Sequence, residues 1–413
     1  MRRVKVRVAP VVAVVAGVAV TRLSQTCLRH GMHLVRHALL CLSLVTGQVG
    51  AAVLPDDRAD ALYHSYEGGG VEISGPSLLV LKKFGQNVAV TGNYYVDSVS
   101  SASIDVETVF INGASPYSEE RTEYSGTIDY LHGNSVMSLS YANSSESDYE
   151  ANTASFGMSM DMFGNMTTVT MGYAYGWDDV GKNRDPLFEE KDIRRHSYRI
   201  GLSQVITKDM ITELDYEGIT DEGFLNNPYR NVRYVDSSAA VGYNSQAEKY
   251  PNTRTSSAVT LRSKYYLPWR AALLGEYRFF ADTWGIDAHT VKFGYTHPLA
   301  GGWLLEGSVR HYTQTAADFY SDLFPFFDAQ NFLARDKELS TFTSNTLGVK
   351  VSYDFIKNGW RSIDRGSLNL AYDLIWFDYD DFRDARVTGV TPGTEPLYNF
   401  TAGVLQLYVS IWF

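Results

Sequence analysis

Three carboxylates and one imidazole fall in two short stretches rich in turn-forming residues. Asp282, Asp287 and His289 lie in A-D-T-W-G-I-D-A-H-T at 281–290, and Asp318 lies in Q-T-A-A-D-F-Y at 314–320. Oxygen donors joined by an imidazole can hold calcium or a transition ion when they converge. The spacing matches no named metal loop, and Asp side chains also close turns by accepting from their own backbone. His289 beside Asp287 is in addition the pair a hydrolase would use to activate a Ser or Thr, but no G-x-S-x-G elbow accompanies it. A third stretch, G-F-L-N-N-P-Y-R at 223–230, sets a bend at Asn227-Pro228. No phosphate loop, dinucleotide fingerprint, H-E-x-x-H or C-x-x-C is present, so the sequence calls for no cofactor.

These stretches connect strands. The last thirteen residues, Thr401 to Phe413, read T-A-G-V-L-Q-L-Y-V-S-I-W-F. Phe413, Ile411, Val409, Leu407, Leu405 and Gly403 share one side, against Trp412, Ser410, Tyr408, Gln406, Val404 and Ala402 on the other. Period two means strand, and one apolar side against one mixed side fits lipid outside and a filled or wet lumen inside. The segment resembles the C-terminal signal strand of bacterial outer-membrane barrels, which the insertion machinery reads. Val169, Met171, Tyr173, Tyr175 and Trp177 share a side in the same way, as do Leu368, Leu370, Tyr372, Leu374 and Trp376. The opposite sides carry charges that lipid would not tolerate: Arg199, Glu213, Asp215, Glu217, Arg262, Lys264, Glu276, Arg278, Lys292, Glu306, Arg310, Lys350, Asp354 and Asp373. Placed in a lumen they form a cross-strand ion-pair ladder, which either solvates the interior or selects what passes.

Short Gly, Asn, Asp and Pro turns alternate with longer connections at 145–152, 178–195, 220–254, 281–289, 315–339 and 380–400, and a further long segment spans 100–121. Such alternation marks the two rims of an antiparallel barrel. Counting Ala61 to Tyr66 as a weak first strand gives about sixteen. The expected fold is therefore all-β, a transmembrane antiparallel β-barrel over 53–413. Composition agrees: 45% hydrophobic residues and a mean hydropathy of -0.19 are too polar for a helical membrane protein, while 28 Tyr, 20 Phe and 7 Trp suit interface girdles.

Residues 1–52 carry a different signal. A basic start precedes Val8 to Val20, too short to span a bilayer, and a second start at Met32 leads through Ala38 to Val45 into Gly50-Ala51-Ala52. This reads as an upstream extension followed by a signal peptide cut after Ala52, with the start codon at Met1 or Met32 open. A twin-arginine signal at Arg2-Arg3 fits less well, and Leu39-Leu40 argues against lipidation at Cys41. Seven of the 36 basic residues and none of the 47 acids lie there, so the remainder holds 29 against 47, a net charge of -18. Nucleic acid is excluded as a partner by that balance. Both cysteines, Cys27 and Cys41, fall in the removed segment, which excludes disulfides and thiolate chemistry.

N-N-P-Y-R at 226–230, T-W-G-I-D-A-H-T at 283–290 and A-A-D-F-Y at 316–320, in an exported Tyr-rich barrel, resemble a proteobacterial family known only as a domain of unknown function. The resemblance implies location in the outer membrane and a barrel fold, and no catalytic residue. Three functions remain open on the residues: a channel for ions or small solutes, a sleeve or anchor for a periplasmic or surface partner, and an outer-membrane hydrolase. The aromatic run Phe319 to Phe332 is either a plug folded into the barrel or a docking patch.

Overall fold

The computed structural model describes residues 53–100, 118–183, 185–357 and 359–413. The expected signal peptide and most of the 100–121 connection lie outside them. The strands in chain order are β1 (Arg58–Gly68), β2 (Val71–Phe84), β3 (Val88–Ser100), β4 (Ser118–His132), β5 (Ser135–Ser145) and β6 (Tyr149–Met162). There follow β7 (Thr167–Val180), β8 (Lys191–Thr207), β9 (Met210–Gly223), β10 (Asn231–Val235), β11 (Tyr243–Ala247) and β12 (Thr253–Tyr266). The last are β13 (Ala272–Asp282), β14 (Asp287–Pro298), β15 (Trp303–Gln314), β16 (Phe342–Ile356), β17 (Arg365–Arg383) and β18 (Leu397–Trp412).

Among the described residues, sixteen of these strands form one closed antiparallel barrel, and β10 with β11 forms a separate hairpin between β9 and β12. The wall closes where β1 pairs with β18, Arg58 opposite Trp412 and Gly68 opposite Ala402. An even strand count brings both ends of the wall to one rim. Connections on that rim are tight, such as 133–134 and 208–209, while the other rim carries the long segments 224–252, 315–341 and 384–396. Short periplasmic turns and long external loops give the orientation. The tightest external connection is the pair Gly69 and Gly70, at φ 61° and 82°, a conformation at both positions that only a side-chain-free residue adopts at no steric cost.

The two faces follow the alternation. Leu78, Ile128, Leu139, Ile200, Leu261, Phe293, Val309, Leu347, Leu370 and Leu407 are all exposed on the outside, where hydrocarbon and not water covers them. Aromatic rings border this band: Phe84, Tyr130, Trp269, Trp303 and Trp360 towards the periplasmic rim, Tyr141, Trp177, Tyr277 and Trp376 towards the external one. In the terminal strand Gln406 and Ser410 are buried on the inside while Leu405 and Leu407 are exposed on the outside. No helix among the described residues is long and apolar enough to cross a membrane.

Two expected long connections are short. The one at 145–152 shrinks to 146–148, and the one at 281–289 to 283–286, because β5 stays paired with β6 to Ser145↔Glu150 and β13 with β14 to Ala281↔Asp287. Tyr149, Ala151, Trp284 and Ile286 pack there into an apolar cluster with residues from the long loops, so pairing continues above the bilayer. The first strand is also longer than the expected Ala61 to Tyr66, for the same reason of continuous pairing on both sides.

Candidate functional site

The inward sides of the strands carry most of the wall's charge. Register sets its charge pattern directly. Arg262 on β12 stands opposite Glu213 on β9 and Glu276 on β13, and it bonds them at 2.9 and 2.7 Å. One step towards the external rim, Arg278 donates to Glu217 at 2.8 Å and to Thr260 at 3.3 Å. Lys350 on β16 meets Glu306 on β15 at 2.8 Å, again directly across the ladder. Lys292 stands between Glu276 and Arg310 in register, and Arg199 opposite Glu217. Asp215 and Asp373 occupy the space above Gly201 and Gly348, which leaves no room for a Cβ at either glycine. Lys264 lies nearer the periplasmic rim, and Asp354 pairs in register with Ser367. Arg199, Glu213, Asp215, Glu276, Lys292 and Lys350 are neither buried nor fully exposed.

Among the described residues, two long loops pack over the external end of the wall. The loops 224–252 and 315–341 fold inward because they carry their own apolar residues: Leu225, Tyr250, Ala317, Phe319, Ala334 and Leu339 bury against Val180 and Ile193 of the wall. A second cluster, Val232, Phe324 and Leu333, lies between the two loops. Backbone bonds sew them together, Phe324 N–H to Arg233 O at 2.8 Å, Val235 N–H to Phe324 O at 2.9 Å, and Lys249 with Leu333 in both directions.

Buried arginines then tie the loops to one another. Arg233, 2% exposed, donates to Asp322 and to Glu395 at 2.7 Å each, so one guanidinium joins the loops 224–252, 315–341 and 384–396. Arg335 donates to the other oxygen of Asp322 at 3.0 Å and to the Arg383 carbonyl at 3.0 Å, while its own N–H is accepted by Glu248 at 2.8 Å. Arg230, from the N-N-P-Y-R stretch, pairs with Asp336. Burial pushes the Arg233 guanidinium down in basicity, but Asp322 and Glu395 more than offset it and hold it above its ordinary value. Burial likewise pushes the Glu395 carboxyl up, yet the Arg233 hydrogen bond and charge, with backbone donors including Gly393 N–H, leave it below the ordinary carboxylate range.

That shift has a sign. A carboxyl whose folded value lies below its unfolded one contributes stability that is present above the unfolded value and is lost as pH falls through the folded one. The cap is therefore expected to loosen on acidification below about 4.5, the ordinary value for Glu. Protease cleavage within 384–396 of vesicle-embedded protein, with an acid-active protease, should accelerate over that range in the native chain and lose its pH response in Glu395→Gln.

The residues singled out for metal or base chemistry have other duties. Asp282 is paired with Arg254 at 2.8 Å and accepts from the N–H groups of Trp284 and Ile286 at 2.9 and 3.0 Å, closing its own turn. Asp318 sits against Gly285 of that turn. His289 points outward, with Nδ1 at 2.8 Å from the Tyr277 hydroxyl and its ring against Phe279, and Asp287 is exposed on the same outer side. The four do not converge, and among the described residues no group of three or more His, Cys, Asp or Glu side chains is placed to hold a metal ion. His289 lies on the outward side of β14 while the carboxylate of Asp282 is buried at the end of β13, a separation that the spacing alone concealed.

A buried cluster on β1, β3 and β4 has no counterpart in the sequence reading. His64 Nε2 lies 2.7 Å from Asp97 and 3.0 Å from the Tyr95 hydroxyl, and Arg121 bonds Asp97 at 3.2 Å, Ser144 at 2.9 Å and also Glu123. Every member is on the inward side of its strand. Their period-two placement was visible, but which strand lies beside which was not.

A closed even-stranded wall, apolar outside, ringed by aromatics and charged within, defines a transmembrane β-barrel of the bacterial outer membrane, seated in the lipid bilayer. The chain belongs to the family described as "Protein of unknown function (DUF3570)", which matches residues 38–198 and 188–365. No curated protein matches it. Among solved structures it is similar to a "Bacterial polysaccharide outer membrane secretin", with a TM-score of 0.45 and 8% identity over 86% of this chain and 98% of that one. It is also similar to the siderophore receptor PirA from Pseudomonas aeruginosa, with a TM-score of 0.42 and 8% identity over 80% of this chain and 60% of that one. A third similarity is to OccK1 (OpdK) of Pseudomonas aeruginosa, with a TM-score of 0.41 and 9% identity over 87% of this chain and all of that one.

Proposed function

We propose that this barrel is a gated channel for small polar solutes, with its external mouth shut in the conformation described. One observation supports the reading: the ion pairs of Arg262 on the wall lie below three loops that Arg233 joins. A barrel of sixteen strands is wide enough to leave a pore unless loops fill it, and among the described residues the loops 224–252 and 315–341 pack at the external end while Leu54 packs against Leu81 and Ala89 at the other. The ladder then acts as the selecting surface, because Arg262, Arg278 and Lys350 bond acids on nearby strands and a passing solute exchanges one charge-assisted bond for another.

Recording from purified protein in planar bilayers tests this. The intact chain should open rarely, and a chain in which 320–334 is replaced by a short Gly-Ser linker should conduct continuously. Absence of conductance in both would end the channel reading. The exposed rings of Phe326 and Phe327 on the outer surface of the cap favour a second role, contact with a surface partner. Insertion of the barrel would engage the assembly machinery through Thr401–Phe413, the strand that completes the wall.

A further inference from the structure

We infer that the outer wall of β15–β18 holds the sugar headgroup of a glycolipid in the external leaflet. The outward residues of these strands change character in a single step. One row across the ladder reads Val309, Leu347, Leu374 and Gly403, all apolar. The next row towards the external rim reads His311, Asn345, Trp376 and Thr401, and the one beyond it Thr313, Thr343, Asp378 and Asn399. Hydrocarbon ends between the first row and the second, so the polar rows stand at headgroup height.

At that height lies a groove of about 400 Å³, lined by Asn345, Trp376, Asp378, Asn399 and Thr401 over the strand backbone at 377 and 400. Its size falls within the roughly 300–1,000 Å³ of small-molecule clefts. Phe377 and Phe400 turn their rings into the barrel, where they stack at 4.5 Å, so the groove floor is rigid. Asn345 accepts from His311 Nδ1 at 2.8 Å on its oxygen, which leaves its amide N–H groups for a ligand. The side chains of Asp378, Asn399 and Thr401 make no hydrogen bond or ion pair among the described residues, and each is exposed.

The chemistry narrows the occupant. No Lys or Arg lines the groove, so an anionic phosphate would meet Asp378 without a counter-charge. One carboxylate is too few for a hard cation, which takes six or more oxygens. What remains is a neutral ligand that both donates and accepts: hydroxyls donating to Asp378, paired with the donor and acceptor of Asn399, and an apolar ring face against the Trp376 indole. A pyranose has that pattern. The apolar row directly beneath, Leu347 and Leu374, is where the acyl chains of a lipid carrying the sugar would lie, which favours a lipid-borne source over a free one.

Native mass spectrometry of the purified full chain tests the assignment, with a dihexosyl diacylglycerol and a phosphatidylglycerol of matched acyl chains as probes. The glycolipid should be retained at about tenfold lower concentration than the phospholipid. The double variant Trp376→Leu, Asp378→Ala should lose that preference while keeping the gel mobility of a folded barrel. Equal retention of the two lipids, or a preference unchanged in the variant, overturns the site. Maltose displacing the glycolipid at the same concentration as the lipid itself overturns the lipid-borne source.

Discussion

Arg233→Ala should turn a mostly closed barrel into a mostly open one. The guanidinium is almost wholly buried and bonds the carboxylates of both Asp322 and Glu395. Removing one member of a buried ion pair leaves the partner charge without compensation, at a cost of about 3–5 kcal/mol. Because the cap residues belong to loops and the barrel wall keeps its own ladder, that cost falls on the closed arrangement of the mouth and not on the wall. A shift of that size changes a closed-to-open ratio by roughly two to four orders of magnitude. Planar-bilayer recordings should show open probability rising accordingly, with the heat stability of the barrel on gels barely altered. Asp322→Asn in the same chain should add a further loss, because Asp322 also holds Arg335, and the two effects should fall short of additive where they share the Arg233 contact.

Arg195→Ala should act on the wall instead. Arg195 on β8 pairs with Asp221 on β9, and both side chains are at most 3% exposed. Its neighbour Asp178 accepts from Tyr149 on the opposite side. Truncation leaves Asp221 buried in an apolar setting beside the cluster of Tyr149, Val180 and Ile193, and a loss of about 3–5 kcal/mol follows. Arg262→Ala breaks two ion pairs, yet it should cost roughly 1 kcal/mol or less, because Arg262 is 30% exposed and water screens the acids it leaves. The comparison is read from the temperature at which each folded barrel loses its fast mobility on gels. A larger drop for Arg262→Ala than for Arg195→Ala would mean that the bore is dry at its middle.

The wall was legible because lipid and lumen impose opposite chemistry on successive residues, and Leu405, Gln406 and Leu407 display that rule within three positions. Strand ends were less legible. Beyond the bilayer the outer face needs no apolar residue, so Glu150 and Asp179 continue the pairing of β6 and β7 in segments assigned to loops. The cap was legible only as the aromatic run from Phe319 to Phe332, which the structure divides: Phe319 and Phe324 are buried, while Phe326, Phe327 and Phe332 are exposed. Its clamp left no local trace. Arg233 and Glu395 are 162 positions apart, and no periodicity reports a contact between two loops. The acids at 282 and 318 looked like donors seeking an ion because a turn that caps itself and a loop that binds metal use the same residue types.

The seam between β1 and β18 has a consequence for biogenesis. Residues 58 and 412 are neighbours in the finished cylinder, although almost the whole polypeptide separates them. Each of the other fifteen wall pairings can zip as its hairpin arrives or its neighbour docks, but this one must wait for the last strand to be delivered. Until then the partly made sheet presents two raw margins of unpaired amides and carbonyls, the kind of edge that recruits other chains. Transit to the membrane therefore demands an escort that holds the polypeptide apart from its own kind.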